Sequence, residues 1–358
     1  MILMLRKIGV QGKKHVLALM CIVSAVGMVS QSAQAIPFTE ISQVYFFGDS
    51  LTDSGFNNNY TALMGFSAKA PTFTTLNGYT WSQYVAHDIK GFALPTGPFP
   101  ILADKITNNT TPISPVVPYV IPDLTGINYA CGGSRANTNP GVDFIWAPSL
   151  HQQLQQYLST APKQLDPKAV YFVWSGANDL LAALDSMPLP TSAQLLHVAD
   201  ATSTQVVQEV STLAARGAKR IVVMSLPNVG STPFASELAL ETGDPTIPGK
   251  IKNYSFLFDS FMNQKLGAVQ KRHRAKILYF DTYAALDNLI DNAKLGQPTV
   301  INGQSFFFTN YNTPVCGTLP AIVCDTTSNG HIFADTVHPT DMAHRALSLE
   351  VERRVRLW

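Results

Sequence analysis

The chain has 358 residues and a formal net charge of +1, a length that α/β enzymes with insertions reach as one domain. A balance this close to neutral points to no nucleic-acid partner. The 4 cysteines form no CxxC pair and no histidine-rich spacing, so neither a metal nor an organic cofactor is implied.

Residues 1–35 read as a secretory signal peptide: Arg6, Lys7, Lys13 and Lys14 are basic, Val16 to Val29 is apolar, and Ala33-Gln-Ala35 is a small-residue cleavage site. The apolar stretch is shorter than the ~20 residues a membrane-spanning helix needs. Cleavage near Ala35 would leave residues 36–358 as one slightly acidic domain, periplasmic or secreted.

Apolar runs of strand length then alternate with helical patterns, the signature of a parallel sheet covered by helices on both faces. Strands are predicted near Val44–Phe47, Ile127–Ala130, Val170–Trp174, Ile221–Met224 and Ile277–Phe280. Helices are predicted near Leu150–Ser159, Ala193–Ala215, Ile251–Arg272 and Met342–Val355. Two irregular stretches interrupt this order. Residues 91–125 carry seven prolines, too many for a helix or a central strand. Residues 298–334 carry Phe306-Phe-Phe308, Tyr311, Cys316 and Cys324. Loops this long tend to be lids or binding walls, with a plain surface insertion the equal alternative for the first.

Four segments sit beside these elements: Phe47-Gly-Asp-Ser-Leu-Thr-Asp53, Asn128-Tyr-Ala-Cys-Gly-Gly-Ser134, Gly176-Ala-Asn-Asp179 and Asp335-Thr-Val-His338. The first three follow predicted strands, at the sheet edge where open α/β folds bind ligands. Together they hold the groups a serine esterase uses. Ser50 can attack, His338 can take its proton, and Asp335, three residues earlier, can orient the imidazole. The backbone N–H of Gly133 and the amide of Asn178 can meet an oxyanion. The Gly-x-Ser-x-Gly elbow of other serine hydrolases is absent, because Thr52 stands at the second glycine position.

In these segments the chain resembles the GDSL, or SGNH, hydrolases, over residues 44 to about 355. The resemblance implies a three-layer α/β/α sandwich of flavodoxin-like character with a mostly parallel five-stranded sheet. It also implies that Ser50 contributes its own N–H as a third oxyanion donor. The extended Phe47 to Gly55 segment and the export signal look most like the secreted bacterial branch of phospholipases A, lysophospholipases A and glycerophospholipid:cholesterol acyltransferases. That implies a phospholipid or lysophospholipid substrate, transient membrane-surface contact and cholesterol as a candidate acyl acceptor. The Phe56-Asn-Asn-Asn59 run departs from relatives that place a single Asn after the glycine.

Asp49, Asp53 and Asp179 are expected to organise turns. His331 is a candidate substrate contact or a plain loop residue, and Phe306, Phe307 and Phe308 are candidates for an acyl wall or for core. Cys316 and Cys324, with Gly and Pro between them, can close a disulfide loop in an oxidising compartment and leave Cys131 over. Related secreted acyltransferases carry such loops, whose nicking by an activating protease opens the site. Other readings are a carbohydrate or short-chain carboxylesterase of the same fold and a lipid- or glycan-binding module.

Overall fold

The structure, a computed structural model, describes residues 37–56, 72–92, 94, 127–143 and 147–358. The expected signal, Asn57 to Asn59 and most of the proline-rich stretch lie outside those residues.

Strands β1 (Val44–Gly48), β2 (Val170–Trp174), β3 (Arg220–Met224) and β4 (Lys276–Phe280) form a parallel sheet in that order. One rung runs Phe46, Phe172, Val222, Leu278. The run expected as a strand at Ile127–Ala130 lies along the free edge of β1: Phe46 donates to Ile127 at 2.9 Å, and Tyr129 donates to Phe46 at 2.9 Å. It forms a single bridge at Asn128 rather than a regular strand, because the Asn128 side chain takes the Ala130 amide at 3.0 Å. Counted as the fifth ribbon, it gives the chain order 2-1-3-4-5 of flavodoxin-like sheets.

Successive strand residues face opposite layers, and both layers are apolar, as a doubly covered parallel sheet requires. Phe47, Tyr171, Val173, Ile221 and Val223 pack under α2 (Leu150–Thr160), α4 (Ser192–Ala215) and α6 (Ile247–His273). Phe46, Phe172, Trp174, Val222 and Met224 pack under α1 (Trp81–Lys90) and α8 (Asp341–Arg356). Helices α3 (Ala177–Leu184), α5 (Pro233–Thr242) and α7 (Thr282–Lys294), like α1, go beyond the predicted set. Three of the four have 10 residues or fewer, too few turns for the 3.6-residue period to stand out. A readable signal was present at α1, where Thr80 and Gln83 form a capping box.

The 298–334 stretch is more ordered than expected. It opens with an antiparallel hairpin, β5 (Thr299–Ile301) and β6 (Gln304–Phe306), joined by Asn302 and Gly303 at φ 50° and 79°. This is the Asn-Gly signal of a two-residue hairpin. Of the two readings of Phe306–Phe308, acyl wall or core, the packing is that of core for the outer two rings. Phe306 and Phe308 are buried with Leu289, Ile290 and Phe333 between α7 and α8, and Phe307 is 51% exposed. Strand alternation sends the first and third rings inward and the second to solvent. A disulfide joins Cys316 to Cys324, while Cys131 is buried beside β1.

Candidate active site

The turn after β1 carries Ser50, and its shape is set by close packing. A Cβ at Gly48 would lie 2.3 Å from the Trp174 carbonyl oxygen, so no larger residue fits without moving the strand. Gln153 of α2 brackets this glycine: its Oε1 accepts from Gly48 N at 2.9 Å and its Nε2 donates to Gly48 O at 2.8 Å. The same amide reaches Ser134 Oγ at 2.8 Å. Asp53 accepts from Gly55 N at 2.7 Å, Phe56 N at 2.6 Å and Gly132 N at 2.8 Å. Asn128 Nδ2 donates to Thr52 O at 2.8 Å and Ser54 Oγ at 2.9 Å. The first two sequence segments are thereby stitched into one buried unit.

Residues 288 apart in sequence meet here. His338 Nε2 lies 2.8 Å from Ser50 Oγ, and His338 Nδ1 lies 2.7 Å from Asp335 Oδ2. The carboxylate is held by three backbone donors: Val337 N at 2.9 Å and His338 N at 2.7 Å to Oδ1, and Ala321 N at 2.7 Å to Oδ2. This fixes the ring so that one nitrogen faces the acid and the other faces the hydroxyl. Such a chain can move a proton off the serine.

Gly133, at φ 77°, occupies the left-handed region that a side chain disfavours. Asn178 stands in the first turn of α3, and its Nδ2 donates one hydrogen to Ser134 O at 2.9 Å, leaving the second for another acceptor. Among the described residues, the N–H groups of Ser50 and Gly133 have no acceptor. Ser50, Gly133, Asn178 and His338 line one cavity of about 80 Å³, shared with Phe73, Val142, Leu181 and Val337. It offers an attacking oxygen and converging donors at one place.

Electrostatics support an ionised acid beside a basic imidazole. Burial alone would raise the Asp335 carboxyl, but the His338 charge and the hydrogen bonds hold it at about 2. Burial would likewise depress His338; the Asp335 charge and hydrogen bond, helped by Asp49, outweigh it and raise its pKa. Asp49 is pushed up to about 7 by burial, offset only in part by the Leu51 N–H. Its Oδ2 has no partner among the described residues. Behind the site, burial drives His344 down to about 3, so it stays neutral.

Asp49, Asp53 and Asp179 are turn anchors, Asp179 accepting from Ala136 N at 3.0 Å. His331 bonds the Asn329 carbonyl at 3.2 Å and does not line the cavity. Three contributors had no sequence signal of their own: Gln153, indistinguishable from other helix glutamines, the Ala321 amide, and Phe73, whose ring centroid lies 5.0 Å from that of His338. Among the described residues, no group of three or more His, Cys, Asp or Glu could hold a metal ion.

Residues 44–351 match the family described as GDSL-like Lipase/Acylhydrolase. The chain is 26% identical over 340 residues to GDSL esterase/lipase At2g40250 of Arabidopsis thaliana, covering 88% of this chain and 90% of that protein. It is 27% identical over 225 residues to Lipase 1 of Photorhabdus luminescens, covering 62% of this chain but 28% of the relative. Most relatives found are plant GDSL esterases, so the bacterial phospholipase branch is not singled out. Among solved structures, the acetylxylan esterase Axe2 of Geobacillus stearothermophilus aligns with a TM-score of 0.40 at 14% identity, over 87% of this chain and 93% of that one. The chain belongs to the GDSL-like lipase/acylhydrolase family, whose members cleave carboxylic esters.

Proposed function

We propose that the protein hydrolyses fatty-acyl esters of (lyso)phospholipids through an acyl-enzyme on Ser50. The observation that carries the chemistry is the Ser50–His338–Asp335 chain, with links of 2.8 and 2.7 Å. Ser50 Oγ bonds to the acyl carbon, its proton passes to His338, and the carbon–oxygen bond to the leaving alcohol breaks as that alcohol takes the proton. Water, activated by the same imidazole, then releases the fatty acid and restores Ser50. The N–H groups of Ser50 and Gly133 and the Asn178 amide hold the oxyanion in both steps. Asp335 keeps the imidazole oriented and stabilises its charged form.

The apolar share of the cavity wall, Leu51, Phe73, Val142, Leu181 and Val337, favours a lipid acyl group over a sugar. Export through the leader at residues 1–35 would bring the enzyme to membrane surfaces in the periplasm or medium. Cholesterol is a candidate acceptor in place of water.

A second reading, a short-chain or carbohydrate esterase, draws on the size of the catalytic cavity. At about 80 Å³ it is far below the ~300–1,000 Å³ of sites for larger ligands, a size that suits a short acyl group. Purified protein given lysophosphatidylcholine, phosphatidylcholine with cholesterol, p-nitrophenyl acetate and acetylxylan decides between them. The lipid reading expects kcat/KM to be highest for lysophosphatidylcholine, and a preference for acetyl esters would reject it.

A further inference from the structure

A second cavity, of about 360 Å³, adjoins the catalytic one and shares four wall residues with it: Leu51, Pro227, Thr232 and Val337. Two of these are chain neighbours of the reacting groups, Leu51 of Ser50 and Val337 of His338. We propose that this cavity is the acyl-chain site, so that an ester bound at Ser50 threads its hydrocarbon tail past Leu51 and Val337 into it. The inference rests on the lipid-ester reading above and names where the chain goes.

Three observations carry it. The inner wall is apolar and buried, built from Trp174 and Phe280 at the strand ends and from Leu289 and Phe333. The volume lies in the ~300–1,000 Å³ range of small-molecule sites, whereas the catalytic cavity, at about 80 Å³, is far below it. Exposed Val300 and Arg354 also line it, so the cavity reaches the surface beside β5 and α8. Asp281, Glu350 and Arg354 also line it and are exposed or half-exposed, so its charge lies toward solvent while the buried part is apolar. The leaving alcohol departs through the catalytic cavity, beside Asp143.

Small side chains keep the space open. Ala285 of α7 and Ala346 of α8 both line it, and larger residues there would fill it. The test measures kcat/KM for p-nitrophenyl butyrate and laurate in the wild type, Ala285→Phe and Ala346→Leu, with circular dichroism to establish folding. The wild type is expected to prefer laurate, and the laurate-to-butyrate ratio to fall at least tenfold in each folded variant. A wild-type preference for laurate with an unchanged ratio in the folded variants would overturn the acyl-chain site and leave the lipid reading standing. Wild-type activity on butyrate alone would overturn both. As a readout independent of those two variants, 11-bromoundecanoate should quench tryptophan emission in the wild-type protein and quench it less in Trp174→Phe. Equal quenching in the two proteins would place the chain elsewhere.

Discussion

The backbone N–H of Ala321 donates to Asp335 Oδ2 at 2.7 Å, the same oxygen that faces His338 Nδ1. Ala321 lies inside the loop closed by Cys316 and Cys324. The disulfide therefore bears on the chemistry, since it fixes a segment whose amide helps to hold the acid.

Replacing both cysteines by serine should lower kcat about tenfold, with KM nearly unchanged, because a hydrogen bond to a charged group contributes ~1.5 kcal/mol or more. Loss of the cross-link should also cost roughly 2.5 kcal/mol of stability for a loop of this length. Steady-state kinetics and urea unfolding of Cys316→Ser/Cys324→Ser against the wild type check both. An unaltered kcat would separate the disulfide from catalysis.

Asn178→Ala should reduce kcat by roughly 10²–10³-fold, since an oxyanion donor acts mainly in the transition state. A variant that changes KM and spares kcat would instead make Asn178 a substrate-positioning group.

His338 must be neutral to accept the Ser50 proton, and its pKa is raised. The acid limb of kcat/KM should accordingly have its midpoint above the ~6.5 of a free imidazole. Asp335→Asn removes the main raising influence and leaves burial in command, so the limb should move to lower pH while kcat drops sharply. Asp49→Asn should shift it the same way by less. Stability gives a second reading. The Asp49 carboxyl is raised to about 7, so folding loses stability as pH climbs from about 4 to about 7, and Asp49→Asn should flatten that slope. pH–rate profiles and thermal scans at several pH values check both signs.

Gln153→Leu should destabilise the fold by about 1–3 kcal/mol, because it leaves the Gly48 N–H buried without its acceptor. Gly48 O keeps a second donor in Cys131 N at 3.1 Å. The urea midpoint should fall, and kcat with it, as the Ser50 turn loosens against Ser134.

The strands at β1 to β4 were legible because a ribbon buried on both faces needs an unbroken apolar run, such as Val170 to Trp174. Ser50, Gly133, Asn178, Asp335 and His338 were legible because each sits at a fixed offset from such a run or from its own motif partner. What was hidden is built by assembly. Ala321 acts through its backbone, which no side chain advertises, and Gln153 looks like any helix glutamine. Phe306 and Phe308 read as pocket or core until the Asn302-Gly303 turn is seen to make a hairpin that packs them inward. The large cavity draws on Leu51, Trp174, Leu289 and Ala346, too far apart in sequence to show a common purpose.

The central claim is that Ser50 carries the acyl group, and covalent labelling tests it most directly. Wild-type protein treated with a fluorophosphonate should gain one adduct, located by peptide mass spectrometry at Ser50, and lose activity in proportion. Folded Ser50→Ala should take up no label and lose several orders of magnitude in kcat. A label that maps to another residue, or that persists in folded Ser50→Ala, would contradict the account.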